Sequence, residues 1–367
     1  MTIAHPNVSL FLRYLGGGGA ERVMLNLGQG LVAGGFKVEL ILGQAWGPHL
    51  GKVPAEIQVV NLDASGVRRT TVALAKYLKQ NQPDALLSAL HYANEMAVWA
   101  KLLAGVSTKV VVSEHNTFSQ AIQKTTPMRK SLLPWFVRCF YPWADEIVAV
   151  SQGVAQDLSE STGLPRDRVQ SIYNPVITPE LVQKAKQPVD HPWFQEGEIP
   201  VILGVGKLEA QKDFSTLIRA FAKVRAVRPA RLGILGWGPD RSRLETLIQE
   251  LGLGNDAALL GYTDNPYSYM ARSGVFVLSS QWEGLPTVLI EAMAVGTPVV
   301  STNCKSGASE ILDEGRYGSL VPVGDSATMA EAILETLAGT APTVENSWLQ
   351  QFSLEKTTEE YMKVLGL

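Results

Sequence analysis

The stretch VSLFLRYLGGGGAERVMLNLGQGL, residues 8–31, contains the features that decide the fold. A short apolar run at 8–14 leads into four successive glycines at 16–19, and a helical pattern follows from about Ala20. The order strand, glycine turn, helix is typical of one βα unit. A nearly continuous apolar strand of this kind is typical of a parallel sheet covered on both faces.

The same alternation recurs along the chain. It predicts a first set of strands at 8–14, 36–42, 57–62, 84–90, 109–113 and 146–151, with an amphipathic helix at 71–80. It predicts a second set at 201–206, 230–236, 257–262, 274–280, 297–302 and 319–323, with a helix at 213–227. Strands separated by helical patterns indicate α/β units with parallel sheets.

A proline-rich interval separates the two sets and is expected to be a linker at 175–199. The sequence thus predicts a Rossmann-like domain at 1–174 and another at 200–352, with a final helix at 353–367 that packs back on the first. The length of 367 residues suits two cores better than one. Ligands of such sheets bind outside the carboxyl ends of the strands, so two domains face to face would form a deep cleft.

The composition excludes several classes of protein. Hydrophobic residues make up 46% and charged residues 18%, and no apolar run reaches the roughly 18 residues of a membrane span. Neither a secretion signal nor a metal or redox spacing of Cys139 and Cys304 is evident, so we expect a cytoplasmic protein without disulfides. Residues 1–175 carry 16 basic and 12 acidic side chains, and residues 176–367 carry 16 and 23. This difference is too small to indicate nucleic-acid binding.

Two glycine turns are candidate ligand contacts. Gly17, Gly18 and Gly19 open a helix, where backbone N–H groups and the helix dipole favour an anion such as a diphosphate. The alternative is a tight turn that binds nothing, because the loop matches neither the P-loop nor the dinucleotide fingerprint. The turn at Gly236 leaves the same two readings open.

Charged side chains follow other strands. Lys207 and Lys212 lie between a strand and a helix and are predicted to hold phosphate oxygens, the alternative being solvated surface lysines. Glu114, His115 and Asn116 end a strand of the first domain and are predicted at the cleft edge, where they would face a substrate.

Two glutamates stand out in WEGLPTVLIEAMAVGTPVV, residues 282–300. Glu283 precedes Pro286, which favours the first turn of a helix, and Glu291 lies inside that helix among apolar neighbours. A buried carboxylate needs a partner, and the two hydroxyls of a ribose are suitable donors. The alternative is a pair of surface glutamates on the polar face of a helix.

Together these features resemble the retaining glycosyltransferases of family 4, which have the GT-B fold; the E-x7-E spacing of Glu283 and Glu291 is the most specific part. The resemblance implies that Glu291 binds the donor ribose and that Glu283, with the backbone at Gly284, Leu285 and Pro286, contacts the transferred sugar. It further implies that Lys207, Lys212 and the first glycine loop hold the diphosphate and that His115 lies near the sugar. Position 207 is more often arginine in this family, and a lysine lacks the bidentate fork.

The resemblance implies transfer of a sugar from a nucleotide-sugar donor, with UDP favoured, to an acceptor hydroxyl that belongs to a sugar or a lipid-linked precursor. No metal or other cofactor is expected, because preorganised N–H groups and lysines can stabilise the leaving diphosphate. Two alternatives remain: a GT-B hydrolase or epimerase of nucleotide sugars, and a non-catalytic nucleotide-sugar-binding protein.

The segment KTTPMRKSLLPWFVRCFYPWADE, residues 124–146, mixes basic and aromatic side chains. This mixture is typical of a segment at a membrane interface, here peripheral on the cytoplasmic face. The alternative is an ordinary helix whose aromatic side chains pack in the core. The basic residues of the segment are Lys124, Arg129, Lys130 and Arg138.

Overall fold

The computed structural model describes residues 6–123, 126–197 and 199–367, with the backbone alone at residues 128, 129 and 131. The chain divides into two compact units, Met1–Val176 with Gln351–Leu367, and Ile177–Gln350. Each unit has its own buried cluster of apolar side chains. The predicted pair of α/β domains is confirmed.

The described part of the first unit forms a seven-stranded parallel sheet in the order β3-β2-β1-β4-β5-β6-β7. Its strands are β1 Asn7–Leu12, β2 Lys37–Leu42, β3 Gln58–Asn61, β4 Ala85–Ala89, β5 Lys109–Glu114, β6 Glu146–Ala149 and β7 Val169–Ser171. Its helices are α1 Gly19–Ala33, α2 Val67–Asn81, α3 His91–Ala104, α4 Phe118–Gln123, α5 Pro127–Phe140, α6 Gln152–Thr162 and the C-terminal α15 Leu354–Leu365.

The described part of the second unit forms a six-stranded parallel sheet in the order β10-β9-β8-β11-β12-β13. Its strands are β8 Val201–Val205, β9 Arg231–Leu235, β10 Ala257–Gly261, β11 Val275–Leu278, β12 Val299–Thr302 and β13 Ser319–Val321. Its helices are α7 Pro179–Ala185, α8 Phe214–Val227, α9 Arg241–Glu250, α10 Pro266–Met270, α11 Thr287–Ala294, α12 Ala308–Ile311, α13 Ser326–Glu335 and α14 Asn346–Leu349.

In both sheets the strand order reverses once, as in the Rossmann fold. The reversal lies between β1 and β4 in the first unit and between β8 and β11 in the second. Ligands of open α/β sheets bind beyond the carboxyl ends of the strands at this switch point. A ligand is therefore expected at the loops that follow these four strands.

The strand predictions hold in both units, because each predicted run overlaps an observed strand. The one strand of the described residues that the apolar pattern missed is β7, an edge strand of three residues. Gln170 and Ser171 leave β7 without an apolar run to detect.

The segment predicted as a linker, 175–199, differs from that prediction. From Ile177 onward it belongs to the second unit, where α7 packs on α10. The Asn265 side chain donates to the Lys184 carbonyl (2.9 Å), and the Phe194 ring contacts Tyr269. Pro179 and Pro192 begin short helical turns, which is why a run of prolines did not mark a flexible connection.

The C-terminal helix α15 lies in the first unit, in contact with α1, β4 and β5. Tyr361, Val364 and Leu365 are buried in the core of that unit. Across the described ranges, no helix is both long and apolar enough to span a bilayer.

Candidate functional site

An ion pair lies at the switch point of the second unit. Lys212 ends a turn after β8, and Glu283 lies in the loop after β11. The Lys212 Nζ atom is 2.5 Å from Glu283 Oε1, and the two side chains are only 16% and 9% exposed. The Ser280 hydroxyl donates to the same carboxylate oxygen (2.6 Å). A lysine that the strand order brings to a nearly buried glutamate forms a prepared polar site.

The loops that present this pair are themselves bonded to each other. The Gln211 amide donates to the Trp282 carbonyl (2.9 Å), and the Ser279 hydroxyl donates to the Lys212 carbonyl (2.7 Å). From β12, the Thr302 hydroxyl donates to the Ser280 carbonyl (2.6 Å). Such cross-bonds hold a site in one geometry before a ligand arrives.

Residues after β12 support the backbone of Gly284, Leu285 and Pro286, called the GLP backbone below. These supporting residues were not among the predicted site residues. The Ser306 hydroxyl donates to the Gly284 carbonyl (2.9 Å). Gly307 has φ of +83°, and a Cβ there would lie 2.6 Å from the same carbonyl oxygen. Cys304 is buried nearby, and burial together with the Glu283 charge raises the pKa of its thiol to about 12. Their position could have identified them, because they too follow the carboxyl end of a strand, β12.

Glu291 lies on α11 and is 1% exposed. Its neighbours Leu289 and Ile290 are also buried. The alternative that both glutamates lie on the polar surface of a helix is therefore wrong. The structure gives the Glu291 role in ribose binding no direct test, and that role stays a prediction.

The two lysines after β8 have different surroundings. The Lys207 side chain is 51% exposed, lies 3.3 Å from Glu209 and has its ammonium 5.8 Å from the Trp237 ring centroid.

Gly236 has φ of +146°, and a Cβ there would overlap the Gly206 carbonyl. Close packing of two loops thus accounts for a glycine at 236, whatever its part in donor binding.

The glycine loop of the first unit surrounds a carboxylate of its own. The backbone N–H groups of Gly16, Gly18 and Glu21 donate to the Glu21 side chain. A Cβ at Gly18 would lie 2.6 Å from Glu21 Oε2. Burial raises the pKa of Glu21, and the backbone hydrogen bonds oppose that rise. Of Gly17, Gly18 and Gly19, which were predicted to face a diphosphate, Gly18 thus has its N–H bonded to a side chain, and Gly19 begins α1. The diphosphate contact of this loop stays a prediction.

The three polar residues at the end of β5 do not share one environment. Asn116 is exposed, whereas Glu114 and His115 are buried. His115 Nε2 lies 2.9 Å from the Ser113 hydroxyl, and burial lowers the pKa of His115 to about 4 against the opposing charge of Glu114. His115 is therefore neutral near pH 7.

Glu114 is buried and bonds to other residues of the first unit, and its predicted place at the cleft edge stays a prediction. Its Oε1 atom accepts hydrogen bonds from Asn94 (3.1 Å) and from the Tyr141 hydroxyl. His91 Nδ1 lies 3.6 Å away, and His91 Nε2 lies 3.1 Å from Glu95. Burial disfavours protonation of His91, but the two carboxylates outweigh it and raise its pKa to about 9. No local pattern in the sequence indicated this network, although His91 lies two residues after β4.

Among residues 6–123, 126–197 and 199–367, no three or more His, Cys, Asp or Glu side chains are grouped so that they could hold a metal ion.

Two family profiles match the two units. Glycosyltransferase Family 4 matches residues 17–179, and Glycosyl transferases group 1 matches residues 189–346. The chain is also 30% identical over 337 residues to the N-acetylgalactosamine-N,N'-diacetylbacillosaminyl-diphospho-undecaprenol 4-alpha-N-acetylgalactosaminyltransferase of Campylobacter jejuni, covering 89% of this chain and 88% of that protein.

The chain belongs to the group 1/family 4 glycosyltransferases.

Another relative of this glycosyltransferase is named for lipopolysaccharide core biosynthesis. The chain is 27% identical over 359 residues to the lipopolysaccharide core biosynthesis glycosyltransferase LpsE of Rhizobium meliloti, covering 95% of this chain and 96% of that one. Among solved structures, Anabaena HepE in complex with UDP-glucose matches with a TM-score of 0.78 at 18% identity, over 99% of this chain and 100% of that one. The glycosyltransferase therefore shares the GT-B fold of its structural neighbours.

Proposed function

We propose that the enzyme transfers a sugar from a UDP-sugar to an acceptor hydroxyl with retention of anomeric configuration and without a metal. The observation that carries the proposal is the Lys212–Glu283 pair at the switch point of the second unit. The two groups suit the two ends of the reacting bond. The cation suits the diphosphate that leaves, and the carboxylate suits the hydroxyls of the sugar.

In the proposed reaction the bond between the anomeric carbon and the diphosphate oxygen breaks, and its electron pair goes to that oxygen. The acceptor oxygen forms a bond to the anomeric carbon on the same face, and its proton passes to the departing phosphate. Lys212 stabilises the negative charge that grows on the diphosphate. Glu283 accepts hydrogen bonds from the sugar hydroxyls and, with the GLP backbone, orients the ring.

The proposal also assigns the contacts of the donor's ribose, phosphates and sugar. Glu291, whose E-x7-E spacing from Glu283 matches the motif of the family, accepts hydrogen bonds from the ribose diol. Lys207 has a freer side chain and adds a point charge to the phosphates. UDP is favoured because the similar Anabaena protein is solved with UDP-glucose. His115, neutral and buried, is proposed to border the sugar.

We propose a lipid-linked sugar as the acceptor class. The supporting observation is the relative from Campylobacter jejuni, whose name places its acceptor sugars on diphospho-undecaprenol. A second relative from the same organism also carries a PP-undecaprenol glycan in its name, at 25% identity over 379 residues.

The test is a donor screen followed by product analysis. UDP-, GDP- and ADP-sugars are added to the protein with and without EDTA, and thermal stabilisation and nucleotide release are measured with a lipid-linked disaccharide acceptor. We expect a UDP-sugar to stabilise the protein, EDTA to leave turnover unchanged, and NMR of the product to show retention. An inverted product, release without transfer, or binding without turnover would overturn the proposal in favour of another mechanism, a hydrolase or a binding protein.

A further inference from the structure

Helix α5 and the turn after it divide their side chains between two directions. Leu133, Val137 and Tyr141, spaced four residues apart, are buried against the first unit. Trp135 and Trp143 are 58% and 54% exposed. Neither sequence alternative was complete, because one face of the helix packs in the core and the other presents large aromatic side chains to solvent.

The exposed rings are in contact with one another or with the half-buried Phe140. Trp135 lies against Phe136, and Phe136 stacks on Phe140 at 5.6 Å between centroids. Phe140 contacts Trp143 from the same segment and Trp99 from α3, the latter at 4.5 Å. We call this surface, with exposed Leu132, the aromatic patch. A contiguous exposed apolar surface usually marks an interaction site.

The patch extends along α3. Leu102 and Leu103 follow Trp99 by three and four residues, which places them on the same helix face, and both are exposed. Two helices of the first unit thus contribute apolar side chains to one surface.

The charged residues within the segment 124–143 have one sign. Residues 124–143 contain four basic residues and no acidic one. Lys130 and Arg138 are exposed, whereas Lys124 and the Arg129 side chain lie outside the described residues. The nearest acidic residue along the chain, Asp145, is paired with Lys101 at 2.5 Å. Tryptophan beside lysine and arginine is the composition of interfacial membrane segments.

We propose that the aromatic patch docks the first unit on an anionic lipid bilayer. A second copy of the chain fits less well, because a two-fold interface places the same patch on both sides and would oppose basic side chains to basic side chains. In a bilayer, the rings enter the headgroup region while Lys130 and Arg138 meet anionic lipids. The benefit to catalysis, proximity to a lipid-linked acceptor, rests on the proposed function; the docking itself does not.

The test is co-sedimentation with vesicles of phosphatidylcholine containing one part in four phosphatidylglycerol, or of phosphatidylcholine alone. We expect binding to the anionic vesicles at low salt and about tenfold weaker binding at 0.5 M salt, because screening removes the lipid attraction. Leu132→Glu with Trp135→Glu should lower the partition constant about tenfold or more. Val182→Glu with Val227→Glu, on exposed valines of the second unit, is the matched control and should bind as the native chain does.

Two further measurements separate the outcomes. The melting temperature without ligand must be the same in both double variants, so that a loss of vesicle binding cannot reflect misfolding. Sedimentation velocity without lipid reports self-association; a dimer that Leu132→Glu with Trp135→Glu abolishes would overturn the proposal in favour of a second copy. No binding at low salt, or binding that survives those substitutions, would also overturn it. Turnover of a UDP-sugar without vesicle binding leaves the proposed function intact, and vesicle binding without turnover leaves the docking intact.

Discussion

At the scale of single residues, the Lys212–Glu283 pair joins stability to chemistry. Each side chain neutralises the other where water is scarce, and removing one partner of a buried pair costs about 3–5 kcal/mol. The same lysine is proposed to meet the diphosphate. Loss of stability and loss of transition-state binding must therefore be measured separately.

Lys212→Met should lower kcat by more than it raises the donor KM, because charge on the diphosphate grows as the bond breaks. It should also lower the free energy of unfolding, by about 3–5 kcal/mol, since Glu283 loses its cation. Steady-state kinetics and urea unfolding measure the two effects. Lys212→Met with Glu283→Gln should recover most of the stability and none of the activity. A change in KM alone would contradict the electrostatic role.

Glu291→Gln should weaken donor binding and turnover about ten- to a hundredfold, because a hydrogen bond to a charged group contributes about 1.5–3 kcal/mol. Calorimetric titration with UDP measures binding. Glu331→Gln, an exposed glutamate of α13, is the matched control and should bind UDP normally. Equal affinities for the two variants would remove Glu291 from the ribose site.

At the scale of elements, the glycine loop and α1 form a self-contained cap. Glu21 is the third residue of α1 after the cap residue Gly18, and its carboxylate accepts from the N–H of that residue. This is the glutamate half of a capping box. The loop conformation therefore has a cause that does not involve a ligand.

Glu21→Ala should lower the free energy of unfolding by about 1–3 kcal/mol, because the N–H groups of Gly16 and Gly18 lose their acceptor. UDP affinity should not increase, since these N–H groups belong to the cap. Unfolding in urea and titration with UDP are the measurements. A marked gain in UDP affinity would show instead that Glu21 competes with the diphosphate for the loop.

The buried network at the start of α3 should produce a pH dependence of stability. The pKa of His91 is about 9 in the fold, above the ordinary 6.5, so its contribution is fully present below pH 6.5 and is lost as the pH rises through 9. At 1.36 kcal/mol per unit the loss is at most about 3 kcal/mol. Urea unfolding at pH 6 and pH 9.5 measures it.

His91→Gln should remove most of that difference. His191→Gln is the control, because burial lowers the pKa of His191 and its effect lies at lower pH. A native-like pH difference in His91→Gln would assign the dependence to another group.

At the scale of the whole molecule, the first unit is closed by a segment from the other end of the chain. Helix α15 rests on α1, where a Cβ at Gly30 would collide with the Thr358 hydroxyl and lie 3.1 Å from Leu354 Cδ1. The absence of a side chain at residue 30 lets the two helices approach closely.

Gly30→Ala should therefore destabilise the protein by about 1–3 kcal/mol through overpacking, although alanine favours helix more than glycine does. Hydrogen exchange should quicken in α15 and α1 more than in the strands of the second unit. Gly51→Ala, where a Cβ meets nothing within 4 Å, is the matched control. Adding Thr358→Ala should restore part of the loss, and no difference between the two glycine variants would reject this packing account.

The sequence by itself determined the alternation of strands and helices, the two α/β units and the candidacy of Lys212, Glu283 and Glu291. These features are readable because periodicity and loop position are local properties of the chain. The apolar neighbours of Glu291 suggested its burial. The cap at Glu21 also has a local signal, a glutamate three residues after the cap residue Gly18.

Only the tertiary structure decided which distant residues meet. Lys212 and Glu283 are 71 positions apart, and they pair because β8 and β11 are neighbours in the sheet. His91 meets Glu114 because β4 and β5 are adjacent. The aromatic rings divide between core and surface because only one face of α5 packs against other helices, α3, α4 and α6. Strand order and helix packing are settled by long-range burial, which no short window of sequence contains.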